Sequence, residues 1–182
     1  VEDGYKVVLI GRRKELLEEI KQTAPESYVV KVFDVQNIND LEITFVSLLM
    51  EIGEISLIVH ASGIGYINPK LDWKIEEDTI KTNVLGATRI YDMAFYLFKN
   101  QGFGHLVSIT SVAALRGNRF APAYNASKAY QANYLESLYL KSKEIEGGNV
   151  HITDVRPGFV DTRMALGDGI FWMASVEKAS KQ

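Results

Sequence analysis

The chain has 182 residues, a length that suits one domain with a substantial apolar core. Hydrophobic residues make up 47% and charged residues 24%, which is typical of a globular protein and argues against disorder. A formal net charge of −3, with scattered Lys and Arg, argues against nucleic acid as a partner. Cysteine is absent and histidine is scarce, so we expect no disulfide and no metal site.

The sequence also argues against a membrane partner. No apolar run reaches the roughly 18 residues that span a bilayer. The N-terminus lacks the basic-then-apolar order of a signal peptide. We therefore expect a cytoplasmic protein.

Five short, mostly apolar runs predict buried strands: KVVLIG at 6–11, YVVKVF at 28–33, SLIVHA at 56–61, HLVSIT at 105–110 and VHITDV at 150–155. Runs of this kind are typical of strands that are covered on both faces. Segments with helical period lie between them, at 13–23, 37–52, 72–100 and 124–145. This alternation predicts an α/β fold, a Rossmann-like, doubly wound parallel sheet with helices on both faces. Ligands of such sheets bind at the carboxyl ends of the strands.

The helix predicted at 72–100 combines an apolar stripe with one unexpected polar residue. Its stripe has members three or four positions apart: Ile80, Val84, Ala87, Tyr91, Ala94 and Phe98. Asn83 lies beside the stripe, although asparagine is unfavourable inside a helix. A packing or backbone-bonding role for Asn83 is the alternative to a functional one.

Tyr124 and Lys128, in YNASKAY at 124–130, lie on one face of the next helix because they are four positions apart. A nearby ammonium stabilises a phenolate and lowers the pKa of a tyrosine toward the range useful for acid–base catalysis. The alternative is an ordinary exposed helix face, since this spacing alone is weakly specific. Ser111, after the strand at 105–110, is suited to hydrogen-bond the oxygen of a carbonyl or alcohol that Tyr124 protonates or deprotonates. Thr110 and Ser111 are equally suited to satisfying backbone groups at the strand end.

Together these residues resemble the short-chain dehydrogenase/reductase family. The pattern of that family is an asparagine in the fourth helix, a serine after the fifth strand and Tyr-x-x-x-Lys on the next helix. The matching residues are Asn83, Ser111, Tyr124 and Lys128, in the right order, and the resemblance covers nearly the whole chain. It implies an oxidoreductase that interconverts a carbonyl and an alcohol on a small molecule.

The resemblance also implies a role for each of the four residues. Tyr124 would be the acid or base, and Ser111 would hold the substrate oxygen. Lys128 would bond the nicotinamide ribose, and Asn83 would anchor a water in a proton relay. Tyr124 and Lys128 would thus contact the cofactor as well as the reacting groups.

Further cofactor-binding residues follow from the same resemblance at the ends of the outer strands. Asp34, in VFDV, would accept a hydrogen bond from the adenine, with Val35 beside it. In RPGFVDT at 156–162, Pro157 and Gly158 would bend the chain beside the nicotinamide, and Thr162 would approach the cofactor. A loop or helix cap at Asp34 and a simple turn at Pro157 and Gly158 are the alternatives.

HASGIG at 60–65 departs from the family's Asn-Asn-Ala-Gly. Gly63 matches, whereas His60 and Ala61 replace the two asparagines. The resemblance places Ala61 and Gly63 against the cofactor. The departure puts the sheet-stabilising role of the motif in doubt more than the catalytic chemistry of the family. We interpret His60 as a core residue rather than a ligand or base.

The stretch LIGRRKE favours NADP over NAD as the cofactor. An acidic residue after the second strand of these folds binds the ribose 2′-hydroxyl of NAD, whereas an arginine accommodates the 2′-phosphate of NADP. Here the acid is missing, and Arg12 and Arg13 are present. A guanidinium pairs with phosphate through a bidentate fork. Two solvated arginines that open a helix are the alternative.

The family's glycine-rich turn, between its first strand and first helix, is absent from the sequence. Strand one lies at the centre of the 3-2-1-4-5-6 order, so a chain without it is expected to have a split sheet with two unpaired edges. We therefore expect one dinucleotide-binding domain at 1–182 that lacks a strand–helix unit of ~25 residues and the C-terminal end.

A noncatalytic dinucleotide-binding sensor or scaffold is the alternative function. An enzyme of the extended branch of the family would need a longer C-terminal domain.

The segment after residue 162 bears on the substrate. Met164, Phe171, Trp172 and Met173 predict a partly apolar substrate, or else they pack a lid or a subunit interface. In the family, the helices around 72–100 and 124–145 often build oligomers. The resemblance therefore implies a homodimer or homotetramer.

Overall fold

The computed structural model describes residues 4–161 and 173–181. Thr162, Met164, Phe171 and Trp172 therefore lie outside the described residues. The chain divides into two compact units, Val1–Glu51 and Ile52–Gln182. The expectation of a single domain at 1–182 stays a prediction.

The first unit is a strand–helix–strand–helix segment. Its elements are β1 (Val7–Gly11), α1 (Lys14–Gln22), β2 (Tyr28–Val32) and α2 (Ile38–Ile52). The strands β1 and β2 pair in parallel, with Val7 opposite Tyr28. A helical crossover is required because parallel neighbours cannot be joined by a tight turn.

The second unit contains three parallel strands and the longest helix among the described residues. Its elements are β3 (Leu57–His60), α3 (Trp73–Ile80), a π-helical turn (Lys81–Gly86), α4 (Ala87–Gln101), β4 (Phe103–Ile109), a 3₁₀ turn (Val112–Leu115), α5 (Pro122–Ser142), β5 (Asn149–Val155) and α6 (Val176–Ser180). The strand order is β3-β4-β5, with Leu57 opposite His105 and Phe103 opposite Asn149.

The predicted Rossmann-like architecture is confirmed, with parallel sheets and helices on both sides. All five predicted strands are present, within two residues of the expected bounds. Among the described strands, β1 pairs only with β2, and β3 pairs only with β4. Two sheets are therefore present rather than one continuous sheet.

The core of the second unit lies between the sheet and helices α4 and α5. Tyr91 and Phe98 from α4 and Leu135 from α5 are fully buried with Leu106 of β4. Burying a side chain of this size contributes about 1.5 to 3 kcal/mol. The close approach of α4 to β4 requires a glycine, because a Cβ at Gly104 would lie 2.0 Å from Cδ1 of Phe98.

The π turn changes which face of the predicted helix is buried. Ala87, Tyr91, Ala94 and Phe98 are buried as the stripe predicts, but Ile80 is 38% exposed. The spacing of the stripe does not show this difference, because a π turn adds one residue per turn and rotates the preceding helix relative to the following one. The sequence also predicted one continuous helix at 72–100, where the structure has α3, the π turn and α4.

Candidate active site

Ser111 lies just beyond the carboxyl end of β4. The backbone N–H groups of Thr110 and Val112 donate to the carbonyls of Val155 (2.8 Å) and Pro157 (3.1 Å), so the chain after β4 stays beside the chain after β5. The Oγ of Ser111 accepts a bond of 3.1 Å from the N–H of Ala113 and so caps the 3₁₀ turn. A hydroxyl has two lone pairs and one proton, so this cap leaves the donor of Ser111 available.

Helix α5 presents Tyr124 in its first turn, which begins at Pro122, a residue suited to the first position of a helix. The side-chain amide of Asn125 donates to the carbonyls of Ala113 (3.0 Å) and Arg116 (2.7 Å). These bonds tie the start of α5 to the 3₁₀ turn that Ser111 caps. The segments that carry Ser111 and Tyr124 are thereby joined.

Lys128 lies one turn along α5 and is only 4% exposed. Its Nζ is 6.0 Å from the centroid of the Tyr124 ring. The ammonium donates to the carbonyl of Ile109 and to Oε1 of Gln131, each at 3.0 Å, which uses two of its three donors. Burial lowers the pKa of Lys128 to about 8, although the carboxylate of Asp154 favours the charged form. The helical spacing thus brings Tyr124 together with an ammonium that titrates close to neutral pH.

Asn83 lies fully buried in the π turn. Its Nδ2 donates to the carbonyl of Ile64 (2.7 Å) and to Oγ of Ser127 (3.0 Å), and its Oδ1 accepts from the N–H of Ile64 (2.9 Å). Asn83 therefore holds both backbone groups of Ile64 in the loop after β3 and links that loop to α5. π turns are frequent at functional sites. The bonds to Ile64 also show that Asn83 has the backbone-bonding role that the sequence left as the alternative to a functional one.

The loop after β3 passes against Tyr124 and Lys128. A Cβ at Gly65 would lie 2.5 Å from Cδ2 of Tyr124, so only glycine allows the ring to pack on this main chain. A Cβ at Gly63 would lie 3.4 Å from Nζ of Lys128. Ala61, the other residue of this loop that the sequence singles out, is exposed. The bare main chain at 63–65 therefore allows the close approach of Tyr124 and Lys128 to this loop.

His60 lies in a buried polar cluster behind the site, at 3% exposure. Its Nδ1 is 3.2 Å from Oγ of Ser108 and 3.3 Å from Oη of Tyr91, and these two hydroxyls are 2.7 Å apart. Burial, and next the charge of Lys128, lower the pKa of His60 to about 4, so the ring is neutral at physiological pH. Nε2 of His60 has no hydrogen-bond partner among the described residues.

Asp154, near the end of β5, contacts one residue after β4 and one residue after β5. The carboxylate of Asp154 accepts bonds from the hydroxyl of Thr110 and from Nε of Arg156. Pro157 is half-buried and Gly158 is exposed. A Cβ at Gly158 would meet no atom of the described residues within 4 Å.

The candidate cofactor residues of the first unit lie where its two strands end. Nη1 of Arg12 is 3.5 Å from Oδ2 of Asp34, and an exposed pair of this kind contributes little to stability. Oδ1 of Asp34 accepts from the N–H of Gln36 at 3.0 Å, which is the loop-capping role named as the alternative. Arg13 occupies the N-cap position of α1 without a side-chain cap, and Val35 is half-buried. Both arginines are exposed.

Several polar residues of the second-unit network were missed by the sequence analysis: Tyr91, Ser108, Asn125, Ser127, Gln131 and Asp154. One signal was available for Gln131, which is three positions after Lys128 and therefore on the same helix face. The partners of Tyr91 and Ser108 come from different elements, and no spacing in the sequence connects them.

Comparison with known proteins connects this arrangement to one family. The sequence model of the family described as short chain dehydrogenase matches residues 1–168. An uncharacterised oxidoreductase of Staphylococcus epidermidis is 27% identical over 168 residues, which cover 91% of this chain and 72% of the relative.

Two solved structures show the same fold. The closed form of serine dehydrogenase complexed with NADP+ is 27% identical with a TM-score of 0.78, and the match covers 87% of this chain and 64% of that one. The 3-ketoacyl-(acyl-carrier-protein) reductase of Brucella melitensis complexed with NADH is 18% identical with a TM-score of 0.81, and the match covers 90% of this chain and 69% of that one. At 18% identity the likeness to the reductase shows the fold alone.

Proposed function

The chain belongs to the short-chain dehydrogenase family of NAD(P)-dependent oxidoreductases, and on that premise we propose that it interconverts a carbonyl and an alcohol on a small, partly apolar molecule with NADP(H) as cofactor. One observation carries the proposal. The phenol of Tyr124 lies beside the buried ammonium of Lys128, and hydrogen bonds join their helix to the turn of Ser111 and to Asn83.

The residues present fit a nicotinamide dinucleotide. The third donor of Lys128 and the bare main chain at Gly63 and Gly65 suit a sugar hydroxyl and a flat ring beside Tyr124. Hydride donation to a carbonyl carbon is the chemistry that such a cofactor supplies when bound. Lys128, Pro157 and Gly158 are the residues of the second unit that would hold its nicotinamide half.

The proposed mechanism assigns one task to each side chain. In the reductive direction the phenol of Tyr124 donates a proton to the substrate oxygen, and the hydroxyl of Ser111 stabilises the negative charge that develops there. The charge of Lys128 stabilises the phenolate that remains on Tyr124. Asn83 holds the loop at Ile64 and anchors a water that resupplies the proton.

The preference for NADP(H) rests on charge at the end of β1. Arg12 and Arg13 are exposed, and no acid follows β1. Asp34 follows β2, and we propose that it and Val35 contact the adenine. The serine dehydrogenase that resembles this chain is complexed with NADP+. A lower Michaelis constant for NADH than for NADPH would contradict this part of the proposal.

The apolar character of the substrate is supported by side chains beside Tyr124. Tyr66 and Ile67 follow Gly65 and are more than half exposed, and Phe120 precedes α5 at 44% exposure. The N–H of Asn68 donates to the carbonyl of Phe120 at 2.6 Å, so these two loops are joined. Exposed apolar side chains on two joined loops support a site for an apolar substrate.

We also propose a cytoplasmic homo-oligomer that uses α4 and α5 as its interface. None of the described helices has the length and apolar character needed to cross a membrane. Tyr96 on α4 and Tyr139 on α5 are exposed by 64% and 45%, which is consistent with a contact surface on these helices.

The test of the proposed activity is cofactor consumption by the full-length protein. The protein is incubated with NADPH or NADH and a panel of aldehydes and ketones, and the alcohol product is quantified. We expect NADPH loss matched mole for mole by alcohol for at least one apolar carbonyl compound. Tight cofactor binding without turnover on any compound would contradict the proposal and favour a dinucleotide-binding sensor.

A further inference from the structure

Gln131 is a fully buried side chain whose amide contacts two parts of the candidate site at once. It is 0% exposed in the second turn of α5 after Tyr124. Its Oε1 accepts a bond of 3.0 Å from Nζ of Lys128, and its Nε2 donates a bond of 2.8 Å to the main-chain carbonyl of Asn83. Both ends of the amide are therefore used within the site.

The orientation of this amide is fixed by chemistry. An ammonium only donates hydrogen bonds and a carbonyl only accepts them. Oε1 must therefore face Lys128, and Nε2 must face the carbonyl of Asn83. Glutamine is a residue type that satisfies both neighbours with no charge of its own, whereas an apolar residue would satisfy neither.

Lys128 depends on this contact because it has only one other hydrogen-bond acceptor among the described residues. Its remaining bond goes to the carbonyl of Ile109, at 3.0 Å. The charged and titratable groups that act on it come from three elements: Asp154 at the end of β5, His60 on β3 and Tyr124 on α5 itself. The carboxylate of Asp154 is shared with Arg156 and Thr110, and His60 is neutral above about pH 5 because its pKa is about 4.

We infer that Gln131 is a positioning residue that holds the Lys128 ammonium beside Tyr124 and ties it to the π turn that carries Asn83. Its importance for catalysis rests on the proposed function. The two hydrogen bonds of Gln131 do not depend on the proposed function, because they are present in the protein without ligand. Loss of the Gln131 acceptor lowers the pKa of Lys128, whereas loss of a side chain that only fills space would leave this pKa unchanged.

The test uses Gln131→Met and Gln131→Glu in the full-length protein. Methionine keeps the shape and removes the acceptor, so the ammonium loses stabilisation and the pKa of Lys128 falls by about one unit. Glutamate places a negative charge against the ammonium, so the pKa of Lys128 rises by about one unit or more. NMR titration of protein labelled with [¹³Cε]lysine measures both shifts without any turnover, and Lys128→Met assigns the resonance.

The control is Gln101→Met, which removes another amide of the same unit. Gln101 bonds the main chain of Ile55 through both ends of its amide, at 3.2 and 3.0 Å. Because none of the hydrogen bonds of Gln101 among the described residues involves Lys128, we expect this variant to lose stability and to leave the titration of Lys128 unchanged. Each Gln131 variant is compared with the wild type separately, so either one decides the question if the other does not fold.

Where turnover is measurable, the pH profile gives a second readout. The pH profile of kcat/KM for carbonyl reduction, which reports the free enzyme, is expected to change in both Gln131 variants and to stay unchanged in Gln101→Met. A titration of Lys128 that stays unchanged, or that moves the same way in both variants, overturns the inference. That result would not contradict the proposed function. Conversely, the absence of turnover would contradict the proposed function and would not change the outcome of the NMR test of Gln131.

Discussion

The ring of Tyr124 packs directly on the main chain of Gly65, and this contact sets the position of the proposed proton donor. Gly65→Ala places a Cβ 2.5 Å from Cδ2 of Tyr124, a distance at which the ring must move. A displacement of about 1 Å in a catalytic group costs up to roughly a hundredfold in rate. We therefore expect kcat to fall by at least tenfold while the protein stays folded, as measured by turnover and circular dichroism.

Gly117→Ala is the matched control for this prediction. A Cβ at Gly117 meets no atom within 4 Å, although this glycine lies in the loop that leads to α5. We expect Gly117→Ala to retain wild-type turnover. Equal activity in both alanine variants would show that the position of the Tyr124 ring does not limit the reaction.

At the residue scale the sequence predicted the reacting groups but not the side chains that hold them in place by hydrogen bonds. Tyr124 and Lys128 were predicted because helical spacing is a local rule, and they do lie one turn apart. The amide bonds of Asn125 and Gln131 depend on where the 3₁₀ turn and the π turn pass α5. Those are long-range contacts that no spacing encodes. The catalytic and cofactor-binding roles of all these residues stay predictions.

At the element scale the π turn is the feature that the periodic pattern could not show. It places Asn83 where one amide holds both backbone groups of Ile64. Asn83→Ala removes these bonds and leaves buried polar groups without partners, which costs about 2 kcal/mol or more in the free energy of unfolding. Urea denaturation of the variant measures this loss.

An exposed asparagine provides the comparison for Asn83. Asn118 accepts a bond of 2.9 Å from the N–H of Phe120, at the surface. Asn118→Ala is expected to change the free energy of unfolding by less than about 0.5 kcal/mol. If Asn83→Ala were no more destabilising than Asn118→Ala, the π turn would not depend on its asparagine.

At the scale of the whole molecule, the sequence predicted the strands well because each is a compact apolar run between turn residues. A split sheet was expected because the family's central first strand is absent from the sequence, and the described strands form two sheets. The organisation of 1–182 as one domain without its first strand–helix unit stays a prediction. The intact mass of the protein from its source tests it.

The stability of the whole protein should depend on pH through His60. An unfolded histidine binds its proton near pH 6.5, whereas the pKa of buried His60 is about 4. The unfolded state therefore binds more protons between these values, and the free energy of unfolding falls as the pH drops from 6.5 to 4. The full effect is on the order of 3 kcal/mol.

His60→Asn removes this titrating group, so we expect a flatter stability profile between pH 6.5 and 4 in urea denaturation. The control is His151→Asn, because His151 is exposed on β5. The titration of carboxyl groups contributes equally to the pH dependence of the free energy of unfolding in all three proteins, so it cancels in the comparison. Parallel profiles for the wild type and His60→Asn would mean that His60 is not buried as a neutral ring.

The central claim is that the phenol of Tyr124 is the proton donor, and Tyr124→Phe tests it most directly. Turnover is compared with that of Tyr130→Phe, which removes a phenol from the same helix whose oxygen bonds Thr88 at 2.8 Å, outside the site. We predict that Tyr124→Phe loses at least about a hundredfold in kcat with little change in the dissociation constant of the cofactor, and that Tyr130→Phe keeps its activity. Wild-type turnover in Tyr124→Phe would contradict the account.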